Sequence, residues 1–213
     1  CIGISLCVTI LAWHTFLHTK DLPVHSIAST AWTHTIFSQI KLKADASSTQ
    51  LAEDYGEPVW CKGTGMRNTH LLAVAPTVSN SRISGCSAGI EPQPANVYTF
   101  NGAKGTFIVK NTELVSKLKA NKNNTDKVWD QILADNGSVQ NLPAEVLPEE
   151  DKEVFLTFSE VNQLGLFQQA EIRQKYIVQT QSLNLCFDPT DSPRWINQVH
   201  LEACKLGIKT LYY

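Results

Sequence analysis

The chain has 213 residues, 43% hydrophobic and 18% charged, with a net charge of −2, the balance of an ordinary globular protein with apolar residues enough for a sizeable core. Eighteen basic and 20 acidic residues without a basic cluster give no electrostatic case for a nucleic-acid or membrane-surface partner. Six cysteines (Cys1, Cys7, Cys61, Cys86, Cys186, Cys204) stand at irregular spacing with no C-x-x-C, which argues against a disulfide framework or zinc site and for reduced thiols.

The apolar opening Cys1 to Trp13 lacks the basic start and small-residue cleavage site of a signal peptide and is too short to span a bilayer. Ile2 to Leu17 is expected to form a buried helix, broken at Asp21-Leu22-Pro23. His14 and His18 have the four-residue spacing of two metal ligands on one helix face, but no Glu adjoins His14 and no third ligand is evident, so histidines that pack or meet solvent are expected. A second helix is expected from about Ser29 to Asp54, with Trp32, Ile36, Phe37 and Ile40 as its apolar face. Gly56, Pro58, Gly63 and Gly65 mark a loop before a strand from His70 to Ala75.

That strand opens into Pro76-Thr77-Val78-Ser79-Asn80-Ser81, where Ser79 or Asn80 is expected to cap a short helix closed by Gly85 and Gly89. Glu91-Pro92-Gln93-Pro94 cannot be helical. Val97 to Val109 alternates like a hairpin turned at Asn101-Gly102, followed by helices over Thr112 to Leu118 and Thr125 to Ala134. The sequons at Asn123 and Asn136, without an export signal, are expected to be chance matches. Pro148-Glu149-Glu150 is expected to open the longest amphipathic helix, burying Phe155, Phe158, Val161 and Phe167. A strand-like stretch from Tyr176 to Phe187, a helix capped by Ser192-Pro193 and ended by Gly207, and a strand from Ile208 to Tyr213 complete the chain. Strands separated by helices imply βαβ units with a mostly parallel sheet, whose sites lie beyond the strands' carboxyl ends.

Two places could carry chemistry. The unpaired amides of a helix start at Thr77 to Ser81 would bind an anion, although composition alone favours an ordinary capped helix. Tyr212-Tyr213 suits any strand; adjacent side chains point to opposite faces, so a stacked pair requires the strand to end or distort there. Arg67, Arg173 and Lys209 could each pair with phosphate, and their spacing singles out none of them.

Leu71 to Ser81, Gly89-Ile90-Glu91-Pro92, Gln179-Thr180-Gln181-Ser182-Leu183-Asn184 and Gly207-Ile208-Lys209-Thr210-Leu211-Tyr212-Tyr213, in this order and spacing, resemble the C-terminal portion of the catalytic large subunit of class I ribonucleotide reductases. The resemblance is strong from Arg67 onward and weak before it. It implies an α/β fold, the C-terminal part of a ten-stranded α/β barrel, with residues 1–213 as a single partial domain of a longer chain. The intact enzyme would reduce the 2′-carbon of ribonucleoside diphosphates by radical chemistry. Thr77, Val78, Ser79, Asn80 and Ser81 would inherit the hold on the substrate phosphates, although Val78 and Asn80 depart from the hydroxyl-rich or acidic versions found there. Tyr212 and Tyr213 would relay the radical: a phenol with a pKa of about 10 is neutral at pH 7 and gives up an electron only as its proton moves. Glu91 would have a structural role, pairing with loop backbone, and Val178 replaces the acid common before the Gln179 segment.

The resemblance implies no cofactor in this chain, a metal-radical centre in a partner small subunit, nucleotide effectors bound upstream, a thioredoxin or glutaredoxin reductant, a homodimer of the full chain and a cytoplasmic location, with neither nucleic acid nor membrane as partner. The thiyl cysteine would lie upstream of Cys1 and the re-reducing thiols beyond Tyr213, leaving the fragment inactive alone and poorly soluble through exposed strand edges. The compact loop between Gly56 and Arg67 resembles shortened versions in some phage enzymes. The rivals are a cobalamin-dependent class II reductase, against which the tyrosine pair argues, and a non-catalytic phosphate-binding module.

Overall fold

The computed structural model describes residues 13–76, 78–103 and 105–211. Helix α1 (Trp13–Thr19) buries Trp13, His14, Leu17 and His18, the single face that a 3.6-residue period produces; the rest of the expected first helix, residues 2–12, lies outside the described residues. Asp21 takes φ 52°, which stops the helix before Pro23. Ser26 then caps α2 (Ile27–Tyr55) by accepting the Ser29 amide at 3.0 Å.

At 29 residues α2 is the longest described helix, and its buried face only partly matches the expected one: Phe37 is buried and Ile36 and Ile40 pack half-buried against the core, but Trp32 does not join them. Trp32 stays 40% exposed and only edges Phe16, at 5.3 Å between ring centroids. The buried line is Ser29, Thr33, Phe37, Ala44, Ser48 and Ala52. Small side chains there admit close approach, and the buried hydroxyls are satisfied at once: Ser29 donates to the Val24 carbonyl at 2.6 Å and Thr33 to the Ser29 carbonyl at 2.8 Å. Ser48 Oγ accepts the amides of Arg67 and Asn68 at 3.1 and 3.0 Å, pinning the loop that includes the 3₁₀ turn Val59–Cys61.

Beyond that loop, α3 (Val78–Ser84) precedes an antiparallel hairpin of β1 (Val97–Gly102) and β2 (Gly105–Lys110). The hairpin closes on the pair Gly102 and Gly105, with Asn101 opposite Thr106, so its turn falls after Gly102 and not at Asn101-Gly102. Asn101 is held in the ladder by the Thr106 hydroxyl at 2.8 Å. Helices α4 (Thr112–Ala120) and α5 (Asp126–Ala134) follow, capped by Asn111 and Thr125.

The long amphipathic helix expected from Pro148 is two helices, α6 (Glu149–Val154) and α7 (Gln163–Gln174). The acids do occupy the first turn of α6, but Glu160 and Asn162 compete with helix continuation. Glu160 accepts both the amide and the hydroxyl of Thr157 at 2.8 Å, and Asn162 accepts the Leu164 amide at 3.0 Å. The break lets Phe155 enter one core and Phe167 another. The first core joins Trp13, Leu17, Phe37, Leu72, Phe167 and Leu183 between α1, α2, α7 and α8 (Pro193–Lys205); the second joins Val97, Leu114, Trp129, Ile132, Leu147 and Phe155. Lys117 helps hold the two together, bridging Asp21 at 2.8 Å and Asp151 at 2.9 Å.

The expected strands at His70 to Ala75, Tyr176 to Phe187 and Ile208 to Tyr213 are not regular strands over their described residues. Residues 72–74 and 179–182 run parallel, as expected, but are linked only through Gln179 N–H to Leu72 O, Val74 N–H to Thr180 O and Ser182 N–H to Val74 O, at 3.1, 3.1 and 2.8 Å. Three ladder bonds are too few to regularise a strand. No helix among the described residues is long and apolar enough to cross a membrane.

The buried histidines make the fold acid-sensitive. Burial, with the His18 charge adding to it, holds His14 well below 6.5, and burial brings His18 down to about 4. Between about pH 6.5 and 4 the unfolded chain therefore binds protons that the folded chain refuses, and stability falls as pH drops through that window, by up to about 1.4 kcal/mol per pH unit for each group. Melting temperature recorded from about pH 7 to pH 5 should decline less steeply in His18→Gln than in the wild type.

Candidate functional site

Three backbone segments meet along the parallel pair, beside the turn that follows its first member. The first is 72–76, which runs into α3; the second is 178–184, hydrogen-bonded to it. The third is 208–211, which docks on the second from elsewhere: Lys209 Nζ donates to the Val178 carbonyl at 2.7 Å and Thr210 Oγ1 to the Gln181 carbonyl at 3.4 Å. Segment 178–184 is thus the common neighbour of the chain entering the predicted phosphate-binding turn and the chain entering the tyrosine pair.

Of the predicted phosphate-binding residues, Thr77 lies outside the described residues. Val78 is the first residue of α3, so Ser79 and Asn80 sit inside its opening turn and neither is the cap. Asn80 is exposed and Ser81 buried. The next residue, Arg82, lies 4.2 Å from the Phe100 ring centroid, where the π-face attracts its charge. With Ser81, Phe100 and Lys110 it lines a cavity of about 260 Å³ between α3 and the hairpin. Tyr212 and Tyr213 lie outside the described residues; Leu211, just before them, packs against the first core.

The three cations that spacing left undistinguished are all engaged within the protein. Arg67 donates to the Tyr55 carbonyl at 3.0 Å, and Lys209 to Val178 as above. Arg173, 2% exposed, donates through Nε to Gln181 Oε1 at 2.8 Å, while Gln181 Nε2 donates to the Ala170 carbonyl at 2.8 Å. Gln169, one turn earlier on α7, accepts from Trp13 Nε1 at 3.0 Å and donates to Ser29 Oγ at 3.1 Å. This polar cluster was missed by sequence reasoning. Its signal is that Gln169 and Arg173 share a helix face with Leu166 and Ala170, so two long polar side chains point into a core.

Glu91 has the backbone role expected of it. It is 7% exposed, and its Oε1 accepts the Asn184 amide at 2.9 Å. Burial pushes its carboxyl up, opposed by that hydrogen bond and by the charge of Arg173. Burial likewise lowers Arg173 to about 9, which leaves the guanidinium charged at neutral pH. His14 Nε2 lies 3.0 Å from the Ile90 carbonyl, so α1 also grips this loop. Gln181 and Leu183 face α7 and the first core; alternation turns Ser182 and Asn184 the other way, where Ser182 Oγ and Asn184 Oδ1 are buried without a hydrogen-bond partner among the described residues. No cluster of three or more potential metal ligands occurs among the described residues, and Cys61, Cys86, Cys186 and Cys204 are free thiols.

Residues 59–213 match the family model of the ribonucleotide reductase barrel domain. The chain is 37% identical over 212 residues to the ribonucleoside-diphosphate reductase large subunit of Invertebrate iridescent virus 6, covering 98% of this chain and 22% of that protein. It is 35% identical over 150 residues to the large subunit of Danio rerio, covering 70% of this chain and 18% of that one. Among solved structures, the Actinobacillus ureae class Id ribonucleotide reductase alpha subunit superposes with a TM-score of 0.88 at 39% identity, over 95% of this chain and 37% of its own. The chain therefore spans well under half the length of each of these three proteins.

Gly89 carries φ +71°, and a Cβ built there would stand 2.6 Å from Glu91 Oε2. Gly89→Ala should cost about 1–3 kcal/mol from backbone strain and displacement of the carboxylate, read as a lower urea midpoint at unchanged slope.

Proposed function

This chain belongs to the ribonucleotide reductase barrel-domain family, and from that membership we propose that it forms the later part of the catalytic barrel in a ribonucleoside-diphosphate reductase large subunit. The whole enzyme reduces the ribose 2′-carbon to make deoxyribonucleotides for DNA synthesis. The observation that carries this reading is agreement with large subunits over nearly the whole chain, at 37% identity over 98% of its length.

Each segment then has its task. The backbone amides at the start of α3, with Thr77, Val78, Ser79, Asn80 and Ser81, hold the substrate phosphates; a helix start offers unpaired N–H groups and the positive end of the helix dipole. Side-chain help is reduced at Val78, which has no donor, so main-chain contacts dominate. Tyr212 and Tyr213 relay an electron, each phenol releasing its proton as it is oxidised and regaining it on reduction. Segment 178–184 neighbours the chain that leads into α3 and the chain that leads into the tyrosine pair. The partners are a small subunit that generates the radical, a second copy of the large subunit, and a thioredoxin or glutaredoxin that restores the thiols; the small subunit's metal-radical centre supplies the oxidising equivalent. A cytoplasmic site for the reaction accords with the free thiols.

Tyr212→Phe and Tyr213→Phe in the full-length protein, assayed with its small subunit, test the relay. Each should lower turnover by at least about 100-fold with ribonucleoside-diphosphate affinity within about threefold of wild type, the pattern of a group used only in the reaction and not in binding. Undiminished turnover would mean that the tyrosines only pack, and would move the cobalamin-dependent reading ahead.

A further inference from the structure

The loop after α3 and the helix α7 grip the same short segment from two sides with groups of opposite charge. Glu91 holds the Asn184 amide at 2.9 Å; Arg173 holds the Gln181 side chain at 2.8 Å. Both are almost wholly buried, at 7% and 2% exposure, and each feels the other's charge through space. A buried carboxylate and guanidinium are each costly without a counter-charge, because the interior replaces little of the water they lose. The energy that holds either in place therefore depends on the other.

We propose that Glu91 and Arg173 are a pair of positioning residues for the phosphate-binding segment, two buried charges that grip segment 178–184 at Asn184 and at Gln181 and so fix α3 against it. The inference rests on the phosphate-binding reading given above. The mechanical path is short. Gly85 and Gly89, at φ +64° and +71°, reverse the chain after α3 so that the Glu91 side chain curls back over Gly89, and the Asn184 amide it holds lies two residues beyond Ser182, whose amide pairs with Val74. Val74 in turn lies two residues before Pro76. The phosphate-binding turn is thus tethered at both ends to segment 178–184, upstream by the ladder and downstream by Glu91. Releasing the downstream tether frees the amides of α3 to drift from the geometry that an anion requires.

The test is a double-mutant cycle in the full-length large subunit, with Kd for a ribonucleoside diphosphate measured by equilibrium dialysis and turnover measured with the small subunit. Glu91→Gln keeps a hydrogen-bond acceptor for Asn184 and removes the charge; Arg173→Met keeps volume and removes the opposite charge. Each single variant should raise Kd by about tenfold, and the double variant should return to within about threefold of wild type, because it strands neither charge. Glu91→Asp, which keeps the charge and draws it back by one methylene, should raise Kd about threefold with kcat little changed; it serves where the charge-removing variants fold poorly. Kd effects that multiply in the double variant, or a lower melting temperature with Kd unmoved in all variants, would overturn the pair as a positioning device. Because Kd does not depend on turnover, wild type that binds the diphosphate without reducing it would refute the reductase reading and still allow the cycle to be read. Wild type that neither binds nor reduces it would refute both.

Discussion

A guanidinium with almost no access to water sets the terms for the rest of this structure. Arg173 cannot shed its charge at neutral pH, so the fold must supply acceptors and a counter-charge around it or pay several kcal/mol. The acceptors come from Gln181 and from the helix face it shares with Gln169, and the counter-charge from Glu91. The segment those groups fix is the one to which the chain before α3 and the chain before the tyrosines are both attached. A polar core of this kind is demanding, since every member must be satisfied at once, but it specifies one register for a parallel pair too short to specify its own.

The features legible in the sequence were those with local causes. Ser192-Pro193 opens α8 as expected, with Ser192 accepting the Trp195 amide at 3.2 Å, and Gly207 follows its end with φ +69°. Helices α4 and α5 begin within a residue of expectation, because their caps are encoded beside them. The buried face of α2 was legible in Phe37, Ile36 and Ile40 but not in its small polar members: Trp32 is more apolar than Ser29 and Thr33, but close approach to α7 favours small residues, whose hydroxyls are satisfied by the carbonyls of Val24 and Ser29. The break between α6 and α7 was hidden for a similar reason. An unbroken apolar rhythm through Phe155, Phe158 and Phe167 conceals that these residues serve two cores, and only the caps at Glu160 and Asn162 betray it.

The candidate site was assigned through resemblance to a family and only faintly through its own residues. The small-polar turn after the Leu71 segment suggested the proposed phosphate-binding stretch, although the helix opens at Val78, ahead of the expected caps. The role of Glu91 followed from an acid set among Gly and Pro, where helix is impossible and a backbone partner is the natural one. Arg173 could not be told from Arg67 or Lys209 because spacing records which side chains share a face and not which face is turned inward.

The division into two cores also has a temporal side. The second core is drawn from residues between Val97 and Phe155, whereas the first joins Trp13 to Ile208. Loop closure over so long a separation is the slow part of forming a contact network. On a ribosome, all the residues of the second core have been made once Phe155 is added, while the first must wait for the last helix and the chain beyond it. The half that carries the hairpin can therefore assemble early, as a template, and the half that joins segments 72–76, 178–184 and 208–211 closes late around it.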